Sequence, residues 1–99
     1  PYDIKELIAK VVDDGDYFEL QPDYAQNIVI AFARMGGQCV GIVANNPLYR
    51  GGALDGDSCR KIVDFLVLCD SFNVPIVLLV DTPGFIIGTE AERSGGFIR

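Results

Sequence analysis

Apolar residues recur at Ile4, Leu7, Ile8, Val11 and Val12, the spacing of one face of an α-helix. Asp3, with Glu6 three positions on, reads as a capping-box-like entry to that helix, and Gly15 as its stop. Tyr17-Phe18-Glu19-Leu20-Gln21 then alternates with period two until Pro22-Asp23, which predicts a short strand ended by a turn. Two β-branched stretches follow, from Asn27 to Arg34 and from Gln38 to Asn45, separated by Met35-Gly36-Gly37. Glycine adopts the positive φ that a tight hairpin demands, so these two strands are expected to pair antiparallel.

A loop from Asn46 to Gly52 leads to Asp55, an N-cap candidate, and Ile62, Phe65, Leu66, Cys69 and Phe72 put an apolar stripe on a helix reaching about Ser71. Asn73-Val74-Pro75 stops it. Ile76 to Asp81 is apolar at both alternating sets of positions, which predicts a buried strand covered on both faces. The turn Thr82-Pro83-Gly84-Phe85 follows, and Glu90 onward reads as the opening of another helix. There is no internal repeat. One layer of helices cannot cover a sheet on both faces, so more chain or a partner is expected to complete the core.

With 99 residues the chain is one domain at most, and a 49% hydrophobic content excludes a disordered one. Fourteen acidic against eight basic residues, a net charge of −6, argue against a nucleic-acid partner, whose phosphates need cations. Histidine is absent, which removes His-based triads, His metal sites and imidazole acid/base chemistry from this chain. Cys39, Cys59 and Cys69 have no C-x-x-C spacing and read as small buried apolar residues in a reducing compartment rather than as a catalytic thiol. The apolar run from Ile76 to Val80 is far short of the roughly 20 residues of a membrane span. A start at Pro1 and a stop at Arg99, among residues that read as mid-element, suggest a piece of something longer.

The segment from Val80 to Glu90 carries the clearest chemistry, a Gly/Pro turn leaving an apolar strand and feeding a helix. Such a turn leaves backbone N–H groups free to bind an anion or a developing oxyanion, although many such turns only redirect the chain. Asp81-Thr82-Pro83-Gly84 also matches the Asp-x-x-Gly element of GTPases, but that reading requires an upstream G-x-x-x-x-G-K-[ST] loop. Lys5, Lys10 and Lys61 are the lysines, and none follows such a loop. Gly51-Gly52 would let a ligand approach the backbone, or else form a plain loop before Asp55. Arg50 would contact a ligand phosphate or remain solvated. Asp13, Asp14, Asp16, Glu90 and Glu92 read as helix-terminal and surface charges.

Taken together, Glu19 to Ala25, Val40 to Pro47, Gly52 to Asp55, Phe65 to Pro75 and Val80 to Glu90 resemble the carboxyltransferase (β) subunits of biotin-dependent acyl-CoA carboxylases, propionyl-CoA carboxylase type. The carboxyltransferase subunits of glutaconyl-CoA and methylmalonyl-CoA decarboxylases are close cousins. The likeness runs over essentially all 99 residues. The combination of Phe-x-x-Pro after Cys69-Asp70 with Val80-Asp81-x-Pro83-Gly84-Phe85-x-x-Gly88-Thr89 is its specific part.

The resemblance implies an α/β, crotonase-like fold of ββα units, of which residues 1–99 would be the first half of the C-terminal, biotin-side domain. It implies transfer of a carboxyl group from N1 of carboxybiotin to the α-carbon of an acyl-CoA, with biotin on a separate carrier. Developing negative charge on the ureido oxygen and on the thioester enolate would be met by preorganised N–H donors. By position, Gly84 and Phe85 would be backbone oxyanion donors, and Gly84, Phe85, Ile86 and Gly88 the contacts to biotin. A second donor would lie in a later Gly-Gly-Ala element, and no metal is implied. Thr82 stands where relatives usually carry Val or Ile, and Ile86-Ile87 where they carry Leu-Pro. The implied partners are biotin carboxylase and biotin carboxyl carrier components and further copies of the subunit, in the cytoplasm or mitochondrial matrix. A sodium-pump decarboxylase subunit, a crotonase-like hydratase or thioesterase, and a non-catalytic assembly module are the alternatives, and by itself the chain is expected to be inactive.

Overall fold

The computed structural model describes residues 3–49 and 55–80. In chain order these form α1 (Ile4–Val11), a 3₁₀ turn (Asp13–Gly15), β1 (Tyr17–Leu20), β2 (Ile28–Met35), β3 (Gln38–Asn45), α2 (Gly56–Ser71) and β4 (Ile76–Leu79). The strands make one mixed sheet in the order β1-β2-β3-β4. β1 and β3 run antiparallel to β2, while β4 runs parallel to β3. The helix needed to bring a parallel strand back is α2, so β2, β3 and α2 are a ββα unit.

The predicted hairpin is present. Met35 pairs with Gln38, and Gly36 and Gly37 between them have φ of 62° and 82°, the positive values that a two-residue type I′ loop requires. The first helix is shorter than its periodicity predicts. It ends at Val11, and the chain passes through a 3₁₀ turn in which Asp14 has a φ of 59°. Asp3 does cap α1, its carboxylate accepting from the Lys5 N–H at 3.1 Å.

The two helices do not form one layer. Val29, Ala31 and Ala33 of β2, with Val40, Ile42 and Ala44 of β3, pack against Ile4, Ile8 and Val12 on one face. Ile28, Ile30 and Val43 pack against Phe65 and Cys69 of α2 on the other. Alternate residues of the same two strands thus serve two cores, which is why both strands read as continuous apolar runs.

Gly41 allows α2 its close approach. A Cβ there would lie 2.6 Å from Cys69 Sγ and 3.2 Å from both the Phe65 ring and Ile76 Cδ1. At the far end of α2, Asn73 takes a φ of 56°. The Val74 N–H reaches back to the Cys69 carbonyl at 2.9 Å and the Asn73 N–H to that of Asp70 at 3.2 Å, a Schellman closure. Asn73 therefore ends the helix before Pro75 can.

Three expectations need correction. β4 is not a strand covered on both faces: it follows β3 at the edge of the described sheet, and Leu78 is 62% exposed. The inward stripe of α2 is Ser58, Lys61, Phe65 and Cys69, so Leu66 and Phe72 face outward, Phe72 being 70% exposed. Of the cysteines only Cys69 is buried. Cys39 sits at the exposed start of β3 beside the hairpin loop, and Cys59 on the outer side of α2.

Candidate active site

Because β3 and β4 are parallel, with Ala44 beside Leu79, they end at the same edge of the sheet. β2, running the other way, begins there, with Ile28 opposite Asn45. Ligands of open α/β sheets bind outside the carboxyl ends of parallel strands. At this edge is a cleft of about 400 Å³ lined by Ala25, Gln26 and Asn27, by Leu48 and Tyr49 after β3, and by Asp55 and Asp57 where α2 starts. A larger groove, about 550 Å³, lies by the hairpin end of the sheet, lined by Asp13, Tyr17, Phe18, Arg34, Cys39 and neighbours. It is remote from where β4 ends.

Side chains from the first turns of α2 hold the wall of the cleft. Asp55 caps α2, accepting from the Ser58 N–H at 2.9 Å and its hydroxyl at 2.8 Å. Asn27 Nδ2 donates to Ser58 Oγ at 2.6 Å, and the Tyr24 hydroxyl donates to Asp57 at 3.2 Å. Desolvation and the Asp57 carboxylate raise the Tyr24 phenol above its ordinary 10.0. Asn46, fully buried, accepts from the Ile4 and Leu48 N–H groups and donates to Asp3, while its own N–H donates to the Asn27 carbonyl at 2.7 Å. The entry of α1 and the exit of β3 are thereby tied to the same wall.

Lys61 is the feature that sequence reasoning missed. It is 1% exposed, and its ammonium donates to the carbonyls of Tyr24 at 2.6 Å, Ile28 at 2.7 Å, Gln21 at 3.1 Å and Ala25 at 3.2 Å. Burial pulls its pKa below 10.5, with the Glu19 charge opposing and that of Lys5 adding. Each hydrogen bond to a charged donor contributes about 1.5–3 kcal/mol, and together they offset the desolvation. The signal lay in the spacing 58, 61, 65, 69: Lys61 shares a helical face with Phe65 and Cys69.

Gly84, Phe85, Ile86 and Gly88, the predicted biotin contacts, lie outside the described residues, as do Arg50, Gly51, Gly52, Glu90 and Glu92. Asp55 is the N-cap, as its plainer reading had it. Among the described residues no group of three or more acidic or cysteine side chains is arranged to hold a metal ion.

Residues 1–99 match the family model for the carboxyl transferase domain. The propionyl-CoA carboxylase beta chain of Cereibacter sphaeroides is 53% identical over 95 residues, 96% of this chain and 19% of that protein. The methylmalonyl-CoA decarboxylase subunit alpha of Veillonella parvula is 52% identical over 99 residues, all of this chain and 19% of its own length. A solved transcarboxylase 12S hexamer with hydrolysed methylmalonyl-coenzyme A bound is similar in structure, with a TM-score of 0.80 and 51% identity over 95% of this chain and 18% of that one. The chain thus spans about a fifth of the length of these relatives. The crotonase-like α/β fold that the resemblance implied is the fold of these neighbours.

Proposed function

This chain belongs to the carboxyl transferase domain family, and on that premise we propose that it is part of an enzyme that moves a carboxyl group between biotin and the α-carbon of an acyl-CoA. Residues 1–99 are the first half of the C-terminal, biotin-side domain of that subunit. The observation that carries the reading is the parallel pair β3 and β4, which end together at the cleft edge immediately before Asp81-Thr82-Pro83-Gly84-Phe85.

Backbone N–H donors in the segment after β4 would suit a ureido group, whose oxygen needs N–H donors rather than a side-chain base, in a chain without histidine. Biotin, carried by a separate component, supplies the transferable carboxyl group. The N–H groups of Gly84 and Phe85 would donate to the oxygen on which negative charge develops, and Ile86 and Gly88 would be the further contacts to biotin. Gly84 lets the backbone come close without a side chain intervening. On this reading the enzyme works with a biotin carboxylase and a biotin carboxyl carrier, as a homo-oligomer. The relative named for methylmalonyl-CoA decarboxylation supports a second reading, the same chemistry run towards decarboxylation.

A backbone donor is removed by proline and kept by leucine. In the complete subunit, Phe85→Pro is expected to lower carboxyl transfer by about 10²–10³-fold while Phe85→Leu keeps most of it. Decarboxylation of methylmalonyl-CoA in the presence of free biotin is the assay. Equal activity of the two variants would remove Phe85 N–H from the mechanism.

A further inference from the structure

The segment joining β1 to β2 contains two consecutive tight turns. The Tyr24 N–H bonds to the Gln21 carbonyl at 3.2 Å and the Ile28 N–H to the Ala25 carbonyl at 2.9 Å. Each turn opens on a non-glycine residue in the left-handed region, Gln21 at a φ of 49° and Ala25 at 44°. Such residues persist only where the surroundings over-determine them. The surroundings here are Lys61, because the carbonyls that open and close both turns, those of Gln21, Tyr24, Ala25 and Ile28, converge on its ammonium.

We propose that Lys61 is a positioning residue for the candidate active site: its ammonium fills a four-carbonyl cage that fixes residues 21–28, and through Ala25, Gln26 and Asn27 sets the shape of the cleft wall. The Asn27–Ser58 and Tyr24–Asp57 bonds reach the same segment from the same end of α2, so α2 sets that wall directly. Ser58 and Asp57 each bond to one residue of the segment, while Lys61 engages both turns. Truncating the side chain would leave four carbonyl oxygens facing one another around an empty space, a geometry that accepts a small cation with N–H donors. The effect on catalysis rests on the carboxyl-transfer reading; the effect on the wall does not.

The test uses the complete subunit with Lys61→Ala. Amides of residues 21–28 are expected to exchange about tenfold faster or more, with those of the β2–β3 hairpin unchanged. The KM for free biotin is expected to rise about fivefold with kcat nearly unaltered, the mark of lost positioning for binding. Methylammonium, which carries the N–H donors that the cage needs, restores both, whereas tetramethylammonium, with the same charge and no N–H, restores neither. Should Lys61→Ala not accumulate as folded protein, Lys61→Met keeps the apolar stem and carries the exchange and KM readouts. Unchanged exchange in 21–28, faster exchange with an unchanged KM, or equal rescue by both cations would each overturn the proposal. Absence of carboxyl transfer in the unsubstituted protein would instead overturn the proposed function, and the exchange and cation readouts would still decide the cage.

Discussion

Gly41 and Cys69 form one contact that decides how closely α2 lies on the sheet. With 2.6 Å between Sγ and the position of an added Cβ, Gly41→Ala forces either the helix or β3 to shift. Overpacking of this kind typically costs about 1–3 kcal/mol. The loss is expected in urea unfolding of Gly41→Ala, with most of it recovered in the double variant Gly41→Ala/Cys69→Ala, where the sulfur is gone. A double variant no more stable than the single would show that Phe65 and Ile76, each 3.2 Å from the same point, are the real obstacle. Lys61 is unusual at the same scale. It is a charge at a core position of α2, satisfied by backbone carbonyls, with no carboxylate of the described residues among the acceptors of its ammonium.

Between elements, Asp13 joins the 3₁₀ turn to the β2–β3 hairpin. Its carboxylate accepts from the Gly37 N–H at 2.7 Å and the Gly36 N–H at 3.0 Å. These two donors, Gly37 first, hold its carboxyl below the usual 3.8. A lowered folded-state pKa means that the contribution to stability is complete above the unfolded value and disappears as pH falls through the folded one. Asp13→Asn is therefore expected to unfold more easily at neutral pH and to lose less stability than the parent between neutral pH and acid below 3.8. Parallel acid dependences of the two proteins would show that the hairpin does not sense that charge. The Lys5–Glu19 pair at 2.8 Å joins α1 to β1 in the opposite sense. The Glu19 hydrogen bond raises the Lys5 pKa above 10.5, so its contribution holds below that value and disappears as pH rises through the raised one.

Over the described residues, two cores flank β2 and β3, and apolar surface remains outside them. Val63 at 55%, Val67 at 61% and Phe72 at 70% exposure lie on the outer side of α2, and Leu78 at 62% on β4. Apolar surface of this kind marks association. The 99-residue chain expressed by itself is expected to self-associate, with a light-scattering mass rising with concentration, and to show no decarboxylation of methylmalonyl-CoA with free biotin. A constant monomeric mass would mean that this surface is stable in water, and turnover above buffer would mean that one biotin-side half-domain suffices for catalysis. Among the described residues no helix is long and apolar enough to cross a membrane.

What the sequence determined by itself was local or periodic. Gly36-Gly37 specified the hairpin because a two-residue loop needs positive φ at both positions. Asp3 and Asp55 specified both helix starts, and the motifs at Phe72 to Pro75 and Val80 to Thr89 together carried the family resemblance and the crotonase-like α/β fold it implies. Tertiary structure decided which face each apolar residue serves. The unbroken apolar runs of β2 and β3 are equally compatible with one core or two, and only the placement of α1 and α2 on opposite faces divided them. It decided that Lys61 turns inward, because a charge can be buried only where acceptors converge, and its four carbonyls come from residues 33 to 40 positions away. Cover for β4 is likewise a tertiary matter: Leu78 is 62% exposed in these 99 residues, because hydrophobicity fixes how much a strand gains from cover, whereas the path of its neighbours decides where cover comes from.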